Sequence, residues 1–299
     1  MTVTVRVPAK INLHLGVGAP RPDGYHPLDT VYQAIGLYDD VTASPAEEWS
    51  IHTVADAHVD LTTVPEDADN IAIKAGLALA AHHGVERAAH LEVHKGIPVA
   101  GGLAGGSADA AAALVALDRL WKLDTPDEEL LAIAATLGSD VPFALLGGTA
   151  HGTGRGERVA PVEDHADLWW VVVPHEIGLS TPAVYRHFDT LGGERPDPET
   201  PHDLLAALAA GDVAAVAGVL GNDLQPAAYS LRPDLAERHE LLVGLGALAV
   251  LLSGSGPTQL LLHDSADAAR ASAGRLGELG IGHVLAPAPV AGATVISYA

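Results

Sequence analysis

The sequence predicts an α+β chain of two domains, on three observations. At 299 residues it is long enough to bury one large core or two smaller ones, and two domains is the better expectation. The first part opens on alternating strand patterns and then turns helical, whereas the part from Leu168 onward sets helices around short apolar strands. The boundary falls near Pro161 to Leu168, which gives domains over 1–162 and 163–299.

Taken in order, Thr2 to Val7 and Ile11 to Val17 alternate polar and apolar residues and read as strands on either side of Pro8-Ala9-Lys10. Pro20-Arg21-Pro22-Asp23-Gly24-Tyr25-His26-Pro27 is a dense turn signal. Strands follow over Thr30 to Leu37, Asp40 to Ala43 and Trp49 to Val54, and a helix over Asn70 to His83 carries Ile71, Ala75, Ala78 and Leu79 on one side. A strand over His90 to His94 leads into Lys95-Gly96-Ile97 and a run of small residues. The central helix takes Ser107 as its N-cap, with Asp109 in the first turn and Leu114, Leu117 and Trp121 on one apolar face. Thr125-Pro126-Asp127-Glu128 reads as a capping box with proline at the first helical position, opening a helix that ends at Leu137 before Gly138. Ser139 caps a further short helix and leaves Asp140 in its first turn, where the helix dipole favours a carboxylate. Gly147 to Val162 reads as a glycine-punctuated hairpin.

In the second half, Leu168 to Val173 is a buried strand, and Thr181 to Phe188, His202 to Ala210, Val213 to Leu220 and Arg232 to Val243 are helices. Ala247 to Leu252 and Gln259 to His263 are strands around the small-residue turn Ser253-Gly254-Ser255-Gly256-Pro257-Thr258. A helix over Ala266 to Leu279 and a strand over Ala293 to Tyr298 complete the pattern.

Composition narrows the function. The absence of cysteine excludes disulfides, thiolate zinc sites and cysteine nucleophiles. The longest apolar stretches, Trp169 to Val173 and Ala247 to Leu252, are too short to cross a bilayer, and Met1 leads straight into a strand pattern, so a cytoplasmic location is expected. A formal net charge of −22 argues against a nucleic-acid partner, which needs a basic face. Any nucleotide must be held by local amides and a few placed cations. The histidines are scattered, with His82-His83 the only adjacent pair, and no structural metal site is expected.

The stretch Pro98-Val99-Ala100-Gly101-Gly102-Leu103-Ala104-Gly105-Gly106-Ser107-Ala108 lacks large side chains at nearly every position and runs straight into a helix. Free N–H groups at the helix start, together with the positive end of its dipole, form an anion site that a ligand can approach closely. The P-loop is excluded because Ser107, not lysine, follows Gly106; the dinucleotide fingerprint is excluded because Leu103 and Ala104 break its glycine register. On its own the stretch could still be an ordinary turn in an alanine-rich chain.

Further motifs accompany it: Pro8-Ala9-Lys10-Ile11-Asn12, Asp23-Gly24-Tyr25-His26, Gly138-Ser139-Asp140-Val141-Pro142 and Gly254-Ser255-Gly256. Their order and content, together with the loop, resemble the GHMP kinases, the superfamily of galactokinase, homoserine kinase and mevalonate kinase. The loop and the Gly-Ser-Gly turn point to the superfamily. The first two motifs narrow the resemblance to the branch that acts on a cytidine diphosphate conjugate of methylerythritol in the non-mevalonate isoprenoid pathway. The resemblance spans the chain from Pro8 to the last strand.

It implies a two-domain fold with ATP and substrate in the cleft between the domains, and ATP-dependent, magnesium-assisted phosphorylation of the tertiary 2-hydroxyl. By the same resemblance, Pro98 to Ala108 wrap the ATP phosphates, Asn70 and Lys95 lie near the nucleoside, and Lys10 and Asp140 are the catalytic pair. Asn12, Tyr25, His26, Tyr32, Thr181, Pro182 and Tyr185 fall on the substrate side, with Tyr25, His26 and Tyr185 around the cytosine. Magnesium ligands are not assigned. The chain departs from many members at Ala108, where a second serine is usual, leaving Ser107 as the one hydroxyl of the loop.

The chemistry agrees with these roles. A carboxylate near the attacking hydroxyl accepts its proton, which suits Asp140. A neighbouring cation favours the ionised carboxylate and meets the phosphate oxygens, which suits Lys10. In isolation each would be an ordinary strand-end lysine and first-turn carboxylate. A Gly-Tyr-His turn between prolines has little reason to hold an aromatic unless a base stacks there. Other kinases of the superfamily, for mevalonate-type substrates or homoserine, would not need that turn. A non-catalytic nucleotide-binding regulator would need neither Lys10 nor Asp140.

Overall fold

The computed structural model describes residues 1–193 and 195–299. The chain begins with one strand where two were expected: β1 (Val3–Val17) runs unbroken through Pro8-Ala9-Lys10. β2 (Leu28–Ala46) likewise joins the two strands expected over 30–37 and 40–43. The two pair antiparallel along nearly their whole length, and register shifts at Pro8/Ala9 and Asn12/His14 absorb the proline and an extra residue. Val3, Val5, Val7, Ala9, Ile11 and Leu13 are fully buried in the main core. The strand alternation therefore turns Lys10 and Asn12 to the opposite face.

β3 (Ser50–Ala55), α1 (Ile71–His83) and β4 (Ala88–Lys95) follow, β4 lying between β2 and β3. α2 (Gly105–Trp121) packs on β1, β2 and α1, and Ala110 to Ala113 and Ala116 are fully buried around its circumference, so small side chains let its neighbours approach closely. α3 (Asp127–Leu137), α4 (Val141–Leu146), β5 (Thr149–Gly154) and β6 (Arg158–Pro161) complete the first half, with β5 on the Leu28–Gln33 end of β2.

The second half is built on β7 (Leu168–Val173). After it come α5 (Thr181–Thr190), α6 (His202–Ala210), α7 (Val213–Val219), β8 (Gly221–Asn222), α8 (Gln225–Leu231), α9 (Pro233–Val243), β9 (Ala249–Leu252), β10 (Gln259–His263), α10 (Ala266–Glu278), β11 (Val284–Ala288) and β12 (Thr294–Tyr298). The second sheet runs β11-β7-β10-β9. β7 is apolar throughout because both its faces are covered: Trp170 and Val172 join the main core, and Val171 and Val173 pack with Leu242, Leu261 and Leu276. The expected division at 162/163 separates the two sheets except for β8 and β12, which both pair with β1.

Several helix starts differ from expectation. α2 begins at Gly105 with Ala104 as its N-cap in the left-handed region (φ 58°), so Ser107 sits inside the first turn and caps nothing. Asp109 lies one residue past that turn and is buried, drawn inward by an ammonium described below. The capping box at Thr125 does not form; the N–H and hydroxyl of Thr125 both donate to buried Asp118 instead, and Pro126 is the N-cap of α3. Asp140, not Ser139, holds the N-cap position of α4, and its side chain makes no capping bond. α8, β8 and β11 were not anticipated. β11 carries Pro287, which argues against a strand in sequence but is tolerated here because β11 is an edge strand.

Candidate active site

A cavity of about 900 Å³ lies between elements of the two halves. From the first half it is lined by Lys10, Asn12, Tyr25, His26 and the glycine loop; from the second by Thr181, Pro182, Tyr185, Gly254 and Ser255. Among the described residues, its charged lining consists of Lys10, Lys95, Arg155 and Arg186 against Asp69, Asp109, Asp140 and Asp189. A chain at −22 overall therefore places as many cationic side chains as carboxyl groups in its cleft.

At the centre, Lys10 Nζ stands 3.4 Å from Asp140 Oδ2, with side chains 9% and 29% exposed. The lysine also donates to Asn12 Oδ1 at 3.1 Å, and Asn12 Nδ2 donates to Thr30 Oγ1 at 2.8 Å. Thr30 in turn donates to the His14 carbonyl at 2.6 Å. β1 thus supplies the ammonium and the groups that orient it, while the start of α4 supplies the carboxylate. The ammonium also lies over the Tyr32 ring, 5.1 Å from its centroid. Burial, then the Asp140 charge, pushes the Tyr32 phenol well above its ordinary range, and the same two causes raise Tyr185. Both phenols are neutral donors near the carboxylate.

The glycine loop is fastened on two sides. The Lys10 N–H donates to the Leu103 carbonyl at 3.1 Å, which ties the loop to the lysine's own backbone. On the other side, Ser253 Oγ donates to the Gly102 carbonyl at 3.0 Å, and a Cβ at Gly102 would fall 2.4 Å from the Ser253 carbonyl. Gly102 (φ 76°) therefore has to be glycine, and the Gly-Ser-Gly turn is the seat of the loop. At the helix start a Cβ on Gly106 would meet only Ile71, at 3.8 Å, so that backbone is open to a ligand.

Beneath the loop, Lys95 Nζ lies 2.6 Å from both Asp39 Oδ2 and Asp109 Oδ2, all three side chains nearly inaccessible. Asp39 Oδ1 accepts the N–H groups of Gly96 and Ile97, each at 2.8 Å. Burial pulls the Lys95 ammonium down, but its two carboxylate partners outweigh this and hold it above its ordinary value. Burial drives the Asp109 carboxyl well up, only partly offset by Lys95. Asp109 Oδ1 is buried without a hydrogen-bond partner.

The far end is aromatic. The His26 ring lies 5.0 Å from Tyr185 and 6.3 Å from Phe188, centroid to centroid. Half-exposed Tyr25 has the Arg155 guanidinium 4.9 Å from its ring centre. Thr181 Oγ1 and Ser255 Oγ, 2.7 Å apart, bind α5 to the Gly-Ser-Gly turn.

Of the residues singled out in the sequence, Leu103 and Ala108 do not line the cavity; both side chains are buried in the main core. Asn70 lines it, yet its amide is engaged as the N-cap of α1, accepting from Ala72 N and donating to the Pro65 carbonyl. Asp39, Asp109, Arg155, Arg186 and Asp189 were not singled out as site residues. Arg155 left a trace, a cation between Gly154 and Gly156 in an anionic chain. Asp39 and Asp189 left none, since their partners are remote in sequence.

The chain is similar to known proteins over nearly its whole length. Residues 70–148 match the model for the GHMP kinases N terminal domain, and residues 204–280 that for the GHMP kinases C terminal domain. A Nocardioides sp. protein named 4-diphosphocytidyl-2-C-methyl-D-erythritol kinase is 60% identical over 297 residues, covering 99% of this chain and 100% of its own. A Streptomyces avermitilis protein of the same name is 52% identical over 300 residues, with 99% and 100% covered. The solved structure of a 4-(cytidine 5'-diphospho)-2C-methyl-D-erythritol kinase superposes with a TM-score of 0.75 at 32% identity, covering 95% of this chain and 98% of its own.

Proposed function

The chain belongs to the GHMP kinases, and we propose that it transfers the γ-phosphoryl group of ATP to the 2-hydroxyl of 4-diphosphocytidyl-2-C-methyl-D-erythritol, a step of the non-mevalonate route to isoprenoids. One observation carries this reading: the Lys10–Asp140 pair shares a single cavity with the glycine loop and with the aromatic group of Tyr25, His26 and Tyr185. Relatives named for this activity match the chain over its whole length.

In this reading the substrate hydroxyl lies beside Asp140. The hydroxyl proton passes to the Asp140 carboxylate, its oxygen bonds to the γ-phosphorus, and the bond to the β,γ-bridging oxygen breaks, releasing ADP. Lys10 meets the negative charge on the transferring oxygens, and Asn12 and Thr30 keep its ammonium aimed. The open N–H groups at the start of α2 hold the phosphates at a site whose lining has no side chain in the way. Magnesium would enter on the nucleotide phosphates and would screen their charge, and Ser107, the loop's one hydroxyl, lines the cavity where it could reach such an ion. No helix among those residues is long and apolar enough to cross a membrane, and a cytoplasmic place suits an enzyme supplied with ATP.

The test is ADP release from ATP in the presence of the cytidine diphosphate conjugate, the same polyol without its nucleotide, mevalonate, or homoserine. Turnover with the conjugate alone is expected. Turnover with mevalonate or homoserine, and none with the conjugate, would move the chain to another branch of the family.

A further inference from the structure

His26 is held by a carboxylate from the other half of the chain. Its Nε2 lies 3.0 Å from Asp189 Oδ1 on α5. The same oxygen accepts from Arg195 Nη1 at 2.9 Å, so a second donor helps to fix the carboxylate. Arg195 is itself anchored, its guanidinium 3.8 Å from the centre of the Phe188 ring and donating to the Phe188 carbonyl. His26 and Asp189 both line the cavity, and the His26 ring is closed in by Tyr185 and Phe188.

This arrangement has a chemical consequence. A carboxylate only accepts hydrogen bonds, so a neutral His26 bonded to Asp189 carries its proton on Nε2. The nitrogen left for a ligand is Nδ1, and it has a lone pair alone to offer. We propose that Asp189 is a positioning residue for base recognition: it fixes the His26 ring and tautomer so that Nδ1 accepts from the exocyclic amino group of cytosine. Uracil carries a carbonyl oxygen at that position, which would set acceptor against acceptor. The proposal rests on the functional reading above and assigns part of its base specificity to a residue outside the motifs, on a helix of the second half. A purely structural contact would hold α5 in place without distinguishing one pyrimidine from the other.

The experiment is calorimetric titration of CDP and UDP, with ATP as the control for the other end of the cavity. It compares wild type, Asp189→Ala, Asp189→Asn, His26→Ala and the His26→Ala/Asp189→Ala double variant. Wild type is expected to prefer CDP, and Asp189→Ala to lose roughly tenfold of that preference, the scale of one hydrogen bond with a charged partner. ATP affinity should stay unchanged. Asp189→Asn should keep most of the preference, because its amide oxygen still accepts from Nε2–H. In the His26→Ala background, Asp189→Ala should change the CDP/UDP ratio no further, since the two residues act as one unit. An undiminished preference in Asp189→Ala overturns the proposal, as does an additive loss in the double variant or the absence of any preference in wild type. Failure of wild type to phosphorylate the cytidine conjugate would count against the functional reading, while the CDP/UDP ratio still decides the role of Asp189.

Discussion

Lys10 Nζ and Asp140 Oδ2 stand 3.4 Å apart, one brought from the middle of a strand and the other from the first position before a helix. Neither side chain is committed to holding up its own element. The Asp140 carboxylate makes no capping bond, and Lys10 emerges from a strand already secured by its backbone.

Asp140→Asn and Lys10→Ala are therefore each expected to lower kcat by a factor on the order of 10² or more, the range for losing a proton acceptor or a charge stabiliser. KM for the conjugate should move much less. Steady-state kinetics of the two variants checks this, and near-normal kcat in either would remove that residue from the chemistry.

Gly106→Val separates a phosphate site from a mere turn. The new side chain has room within the protein, where a Cβ meets only Ile71 at 3.8 Å, so the fold should persist. In the proposed reading it would occupy the space meant for phosphate at the helix start, and ATP affinity should fall by about tenfold or more, as for one lost charge-assisted hydrogen bond. Titration of ATP on the variant is the measurement; unchanged affinity would leave the loop without a nucleotide role.

Replacing the cytidine of the conjugate by uridine reverses the donor and acceptor pattern of the base edge. With each unsatisfied buried group worth about 1–3 kcal/mol, two mismatches amount to roughly two to four orders of magnitude in kcat/KM. His26→Ala should erode this discrimination more than it weakens ATP binding. Equal kcat/KM for the two conjugates on wild type would mean that the Tyr25-His26 turn reads no base.

Asp109 makes stability depend on pH in a definite direction. Burial holds its carboxyl well above the ordinary carboxylate range. The folded protein thus binds this proton more tightly than the unfolded chain does. Its contribution is complete at low pH and is lost as pH rises from the ordinary range through the raised value. Asp109→Asn has no carboxyl to titrate, so its urea midpoint should fall less than that of wild type as pH rises above the ordinary carboxylate range. Parallel curves for the two proteins would contradict this.

Much of the site was legible because its chemistry lies in contiguous words. Pro8-Ala9-Lys10-Ile11-Asn12, the glycine loop and Gly138-Ser139-Asp140 each announce themselves locally, and all contribute to one cavity. Helix starts were less legible, since capping residues compete for partners that only folding supplies. Thr125 had a capping pattern and gave its hydroxyl to Asp118; Ser107 had one and was passed over because the loop enters the helix two residues earlier. Strand limits were misread at Pro8, where a register shift accommodates what looks like an interruption. Asp39 and Asp189 were invisible for a different reason. Their partners lie far away along the chain, Lys95 56 residues from Asp39 and His26 163 residues from Asp189.

The pairing of β12 with β1 sets an order on how this protein is made. Thr294–Tyr298 lies alongside Val3–Arg6, and the N–H of Thr2 donates to the carbonyl of Ala299. During synthesis Val3–Arg6 emerges well before Thr294–Tyr298, so that edge stays unpaired until the long stretch between them has been translated. Open edges invite pairing with other chains. A chain cut before Thr294 would leave Val3–Arg6 as an open edge of the sheet that bears Lys10, and is expected to aggregate more readily than the intact protein.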